Sequence, residues 1–208
     1  MDDYEWIHTR LKQMIFEKSF KYEEEPVFKL VSGQMSNFYT NCKPVTLHYF
    51  GMQLIGHLVF QKIKYDNLDA VGGLTFGADP IAIATAFASD ILYQNLHSLS
   101  PTFKPVKAFS VRKTLKDHGV PNWIEGDLKL GEKVAIVDDV VTTGSSTIKA
   151  IERVRESDFE VKKVVILVDC QEGGIDNIKK YVKDTISIVT IEDLMALRKE
   201  KEVKTFYL

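Results

Sequence analysis

From Val134 to Ser146 the chain reads Val-Ala-Ile-Val-Asp-Asp-Val-Val-Thr-Thr-Gly-Ser-Ser, and these thirteen residues hold most of its chemical potential. Val134 to Val137 are apolar without alternation, which predicts a buried strand. Beyond them come two adjacent carboxylates, Asp138 and Asp139, then Val140 and Val141, and then the hydroxyl-rich Thr142, Thr143, Gly144, Ser145 and Ser146. A helix follows, with Thr147, Ile148, Ile151 and Val154 on one stripe. The first turn of a helix leaves backbone N–H groups unpaired at the positive end of its dipole, so Thr142 to Ser146 form a natural phosphate cradle. Asp138 and Asp139, one turn away, can bind diol hydroxyls or help to hold Mg²⁺ through water. The implied ligand is a sugar carrying a phosphate. The bland alternative is a helix cap beside a strand that ends in solvent. That suits an isolated Asp-Asp or Thr-Gly-Ser better than the whole run in this order.

Two further segments stand at strand ends. Gly72-Gly73-Leu74-Thr75-Phe76-Gly77-Ala78-Asp79 has the glycine spacing of a P-loop, but Ala78 and Asp79 replace the required Lys and Ser/Thr. Its small residues still let the backbone of Thr75, Phe76 and Gly77 approach a pyrophosphate; a tight strand-to-helix turn is the competing reading. No G-x-G-x-x-G follows any strand, so a dinucleotide fold has no fingerprint. The third segment, Val111 to Gly119, carries Arg112, Lys113, Lys116 and His118 and reads either as a solvated surface or as a cationic lid. Val120 to Asp127 holds too few apolar positions to predict an element, and a long loop inside a compact domain is often an active-site cover.

The elements that must position these groups follow from periodicity. From Asp69 onward, short apolar runs (Ala70 to Gly72, Val106 to Val111, Val134 to Val137, Val164 to Val168, Ile186 to Ile191) alternate with helical stretches (Pro80 to His97, Ser145 to Ser157, Gly174 to Lys183). This predicts an α/β fold, a parallel sheet flanked by helices, with ligands beyond the carboxyl ends of its strands. Ahead of it, Ile7, Leu11, Met14 and Ile15 predict an opening helix, and Glu23-Glu24-Glu25-Pro26 a loop. Val27 to Val31 predict a strand paired in a hairpin with Phe38 to Thr40, and a helix capped by Thr46 carries Leu47, Phe50, Leu54 and Leu58. Residues 1–65 read as a helix and flap packed on a 66–208 core, one compact domain overall.

Composition narrows the function. With 27 Lys+Arg against 29 Asp+Glu there is no basic excess, which argues against a nucleic-acid binder. The longest apolar stretch, Pro80 to Ala88, falls short of the ~18 residues of a membrane span, and the acidic start Met1 to Glu5 is unlike a signal peptide. Cys42 and Cys170, alone and far apart, form neither a disulfide framework nor a metal knuckle, so a reduced cytoplasmic setting is expected.

Taken together, these motifs resemble the type I phosphoribosyltransferases, enzymes that use phosphoribosyl pyrophosphate (PRPP), and within them the orotate phosphoribosyltransferase family. Leu30-Val31-Ser32-Gly33 with Ser36-Asn37-Phe38-Tyr39 is similar to the family's base-binding flap, Gly73 to Pro80 to its pyrophosphate loop, and Arg112 to Gly119 to its catalytic loop. The resemblance implies transfer of a phosphoribosyl group from PRPP to orotate, giving orotidine 5′-monophosphate and pyrophosphate, with Mg²⁺ riding on PRPP. It assigns the ribose hydroxyls to Asp138 and Asp139, and the 5′-phosphate to Thr142 through Ser146, with Val140 and Val141 in the same PRPP signature. Pyrophosphate goes to Arg112, Lys113, Lys116 and His118, the last two reaching into the second subunit of a homodimer. The base goes to Phe38, Tyr39, Thr142 and Cys170. Val31 and Cys170 stand where many members carry cations near the orotate carboxylate, and Gly77 where some carry a lysine. Another cation or flap amides must then serve that carboxylate, or the base has none. The alternatives are a phosphoribosyltransferase for another nucleobase and a non-catalytic PRPP-binding regulator.

Overall fold

The computed structural model describes residues 3–29, 33, 35–96, 104–115 and 122–206. Helix α1 (Asp3–Lys18) leads into β1 (Phe20–Tyr22), β2 (Phe28–Lys29), β3 (Met35–Ser36), β4 (Phe38–Thr40), the short α2 (Lys43–Thr46) and α3 (Tyr49–Ile63). The core follows as β5 (Ala70–Leu74), α4 (Asp79–Leu96), β6 (Lys107–Val111), β7 (Ile124–Glu125), β8 (Lys133–Val141), α5 (Ser145–Glu156), β9 (Glu160–Asp169), α6 (Gly174–Lys179), β10 (Thr185–Thr190) and α7 (Ile191–Phe206).

Strands β10-β9-β8-β5-β6-β7 form a six-stranded sheet, parallel except for β7, which pairs antiparallel with β6 at the edge. The segment without apolar periodicity thus contributes a short edge strand. Both faces of the central strands are covered, as their unbroken apolar runs require. Ala135, Val137, Val165 and Leu167 join Leu11 and Ile15 of α1, Leu58 of α3, Ile81 of α4 and Leu194 of α7 in one cluster. Val134, Ile136, Val164 and Ile166 join Ala150, Ile151 and Val154 of α5 and Ile178 of α6 in the other. This partition by odd and even residue follows from the alternation of side chains along a strand.

The N-terminal segment departs from expectation in two ways. Strand β2 pairs with Met35–Ser36, while Phe38–Thr40 runs antiparallel to Phe20–Tyr22, a strand too short for its periodicity to register. The cap of α3 is His48, whose Nδ1 accepts the Phe50 N–H at 3.2 Å; Thr46 closes the preceding helix and is buried. Helix α7 was not foreseen, though its start carries a reciprocal cap: the Thr190 N–H donates to Asp193 at 2.9 Å and the Asp193 N–H donates to the Thr190 hydroxyl at 3.2 Å. No helix among the described residues is long and apolar enough to cross a membrane.

Candidate active site

Strand β8 continues four residues past its apolar run, to Val141. Asp138 and Asp139 are therefore consecutive strand residues on opposite faces of the sheet, not the exposed end of a strand. Asp138 turns toward α5 and is only 5% exposed. Its Oδ2 accepts the Thr147 hydroxyl at 2.7 Å and the Ser146 hydroxyl at 3.0 Å, and its Oδ1 accepts the Asp139 N–H at 3.0 Å. Burial, and then the neighbouring Asp139 charge, push its pKa up to about 6 against the pull of those three bonds. Asp139 turns the other way. Its Oδ1 accepts the Val140 N–H at 3.0 Å, and its Oδ2 lies 4.0 Å from Lys43 Nζ. A Cβ on Gly77 would come within 2.5 Å of Asp139 Oδ1, so a residue without a side chain lets this carboxylate sit against the loop after β5.

Between β8 and α5, Gly144 adopts φ +83°, and a Cβ there would lie 2.9 Å from the Gly174 carbonyl. Gly174 in turn packs so closely on Val141 and the Thr142 carbonyl that no side chain fits. Asn177 of α6 donates to the Thr143 carbonyl at 3.1 Å. Helix α6 thus braces the loop, with the N–H groups of Ser145, Ser146 and Thr147 at the open start of α5; the first intrahelical bond runs from the Ile148 N–H to the Gly144 carbonyl at 2.9 Å.

Two cavities meet at this loop. The larger, of about 530 Å³, is lined by Lys29, Phe38, Tyr39 and Thr40 from the N-terminal segment and by Val140, Thr142, Thr143, Ser145, Ser146 and Cys170 from the core. The smaller, of about 200 Å³, is lined by Asp138, Asp139, Lys43, Lys113, Leu74, Thr75, Phe76 and Gly77. Val140 and Ser146 line both. One chamber thus offers hydroxyls and aromatic surface, the other carboxylates and two lysines. Among the described residues no group of three or more His, Cys, Asp and Glu gathers as a metal cage, while the carboxylate oxygens of Asp138 and Asp139 are hard donors of the kind Mg²⁺ takes.

No family model matches the chain. The orotate phosphoribosyltransferase of Aquifex aeolicus is 44% identical over 186 residues, covering 89% of this chain and 96% of the relative. The chain belongs to the orotate phosphoribosyltransferase family. The Nostoc sp. orotate phosphoribosyltransferase is 37% identical over 92% of this chain and 87% of its own length. Among solved structures, Mycobacterium tuberculosis orotate phosphoribosyltransferase matches with a TM-score of 0.74 at 30% identity, covering 90% of this chain and 98% of that one. A structure of the same enzyme in complex with PRPP matches with a TM-score of 0.68 at 27% identity, covering 91% of this chain and 92% of that one.

Set against the family's expected site, Phe38, Tyr39, Val140, Thr142, Thr143, Ser145, Ser146 and Cys170 share the larger cavity, while Thr75, Phe76, Gly77, Lys113, Asp138 and Asp139 share the smaller. Val141 does not belong with them. It is 1% exposed in the core, and its carbonyl accepts the Cys170 N–H at 2.9 Å. Arg112 lines neither cavity, its guanidinium being paired with Glu125 at 2.8 Å. Gly144 shapes the loop from behind instead of lining a cavity. Lys116, His118 and Val31 lie outside the described residues. Burial, then the charges of Glu172 and Asp169, push the Cys170 thiol up to about 12, so it is neutral at pH 7.

Three basic residues were missed by the reading of the chain. Lys29 and Lys43, isolated cations with no motif around them, line the larger and the smaller cavity respectively. Arg153, near the end of α5, donates to the Arg112 carbonyl at 2.6 Å and the Lys113 carbonyl at 3.1 Å, and stacks 4.1 Å over the Trp123 ring. The helix that opens at the hydroxyl loop therefore also fixes the chain on both sides of the cationic segment. Its position in the last turn of an amphipathic helix, two residues before Arg155, carried no signal of this.

Proposed function

We propose that the protein transfers the 5-phosphoribosyl group of PRPP to orotate, forming orotidine 5′-monophosphate and pyrophosphate in pyrimidine biosynthesis. The observation that carries the reading is the pair of cavities joined at Val140 and Ser146. A base and a ribose phosphate suit the larger chamber, between the Phe38–Tyr39 flap and the amides and hydroxyls of Thr142 to Ser146. A diphosphate suits the smaller, where Lys43, Lys113 and the Thr75–Gly77 backbone line the wall. The anomeric carbon then lies at the junction, beside the two carboxylates.

In the transfer, the bond from C1′ to the pyrophosphate oxygen breaks with its electron pair staying on oxygen. The ring nitrogen of orotate supplies the new pair to C1′, and its proton is lost to water. The sugar gains positive charge as the bond lengthens, and Asp138 and Asp139 favour that state over the neutral ground state. Lys43 and Lys113 oppose the charge growing on the leaving group. Mg²⁺ carried on PRPP would neutralise part of the diphosphate, with Asp138 and Asp139 the residues placed to hold it through water.

Membership of the family and the exposed apolar side chains of Tyr49, Ile83, Phe87 and Ile91 support a homodimer, and the reduced cysteines a cytoplasmic setting. Pyrophosphate release from PRPP and Mg²⁺, compared across orotate, uracil, cytosine and purines, tests the activity. Turnover is expected with orotate; robust turnover of another base with none of orotate would replace this reading.

A further inference from the structure

Orotate differs from uracil by one carboxylate on the ring, and an anion entering a partly apolar chamber needs a cation or strong donors to meet it. Among the described residues lining the larger cavity, Lys29 is the one charged side chain. The other groups carry no charge, the Thr40 hydroxyl, buried and without a hydrogen-bond partner, being a neutral donor only. Cys170 is a buried neutral thiol, its pKa up to about 12. The Phe38 N–H donates to the Ser36 hydroxyl at 3.2 Å. The hydroxyls of Thr142, Thr143, Ser145 and Ser146 stand on the core side with the helix N-terminus, where a phosphate belongs.

Lys29 enters from the opposite side, on the flap. It lies on β2 across from Met35, and the preceding Phe28 stacks on Tyr39 with ring centroids 5.9 Å apart. That stacking packs the strand carrying Lys29 against the strand carrying Phe38 and Tyr39, which puts the lysine and the aromatic surface for the base on the same flap. No carboxylate among the described residues lies within ion-pair distance of Lys29.

We infer that Lys29 sets the specificity for a carboxylate-bearing pyrimidine, its ammonium group meeting the acidic substituent of the base at the flap end of the cavity. This rests on the phosphoribosyl-transfer reading of the site and adds to it the residue that distinguishes orotate from uracil.

The products separate the two ideas, because orotidine 5′-monophosphate and uridine 5′-monophosphate differ in that carboxylate alone. Equilibrium binding of both nucleotides is measured on the full chain, on Lys29→Met and on Lys29→Arg. Loss of one charge-assisted contact predicts that Lys29→Met binds orotidine 5′-monophosphate about 10- to 150-fold more weakly while uridine 5′-monophosphate holds its affinity. Lys29→Arg should restore most of the difference, and the KM for orotate should rise in the Met variant. Retained uridine 5′-monophosphate binding also reports that the variant is folded. Equal weakening of both nucleotides places Lys29 on the phosphate and overturns the inference, as does no change in either. A wild-type chain that fails to prefer orotidine 5′-monophosphate and does not turn over orotate overturns the underlying reading instead.

Discussion

Near the amino-terminal end of β9, Lys163 sits between Asp66 and Asp184, at 2.5 and 3.2 Å, and donates to the Lys62 carbonyl at 2.9 Å. Toward the carboxyl end of the neighbouring β8, Asp138 has hydroxyl and amide donors but, among the described residues, no cation, and its sequence neighbour is a second carboxylate. Both charges are largely buried. Burial alone would lower the Lys163 pKa, yet the hydrogen bonds and charges of Asp66 and Asp184 raise it. At Asp138 burial and Asp139 act in the same direction, and the pKa rises to about 6. Asp69, beside Lys163's end of the sheet, repeats the first pattern: burial would raise it, and the Lys104 pair and the Lys133 N–H lower it instead. Burial therefore does not distinguish a structural charge from a reactive one. The sign of the nearest charge does: opposite partners at one end hold the sheet together, and like partners at the other raise a carboxylate's pKa, as the proposed role beside a cationic sugar would use.

The largest effect expected from this contrast is on turnover. Asp138→Asn and Asp139→Asn should each lower kcat by about 100- to 1000-fold, the range for losing one preorganised electrostatic contact to a transition state. Thermal unfolding at pH 8 should show Asp138→Asn as stable as the parent or more so, since the amide removes a buried charge. Near-normal turnover in both variants would erase the functional half of the comparison.

Lys163→Met should do the reverse, costing about 2 kcal/mol of stability in denaturant titrations while leaving the kinetic constants unchanged. Because the folded pKa of Lys163 is raised, its contribution is complete below the unfolded value of about 10.4 and is lost as pH rises through the higher folded value. A loss of activity without a loss of stability would place Lys163 among the functional charges.

A pH profile sharpens the other half. With its folded pKa raised, Asp138 is protonated below about pH 6, so kcat/KM for PRPP should fall toward tenfold per unit below that point. The same shift makes ionised Asp138 a stability cost that grows as pH climbs from the unfolded value of about 4 through about 6. A profile flat to pH 5 would mean that the Asp138 proton is irrelevant to PRPP capture.

The smallest effect belongs to the loop. Gly144→Ala, at φ +83° and facing the Gly174 carbonyl, should cost about 1 kcal/mol in thermal unfolding and raise the KM for PRPP.

Much of the fold could be read along the chain because its signals are local. Val134–Val137 and Val164–Val168 announce covered strands by their lack of alternation, and the hydroxyl and glycine run after Val141 announces a helix start. The Thr190 and Asp193 cap at the start of α7 is equally local and could have been read. The flap was harder, since β1 to β4 are two or three residues each and fix no register by themselves.

The sequence by itself determined the parallel α/β core, the hydroxyl-rich loop that opens α5 and the family, because period, capping and motif order are properties of neighbouring residues. Only the tertiary structure decided which charges meet. It brought Lys43 to within 4.0 Å of Asp139, put Lys29 and Cys170 in the lining of one cavity, joined Arg153 to the Arg112 and Lys113 carbonyls and the Trp123 ring, and buried Val141 in the core. These outcomes depend on chain closure over long separations and on how much water each group loses, and desolvation is not written in any local pattern.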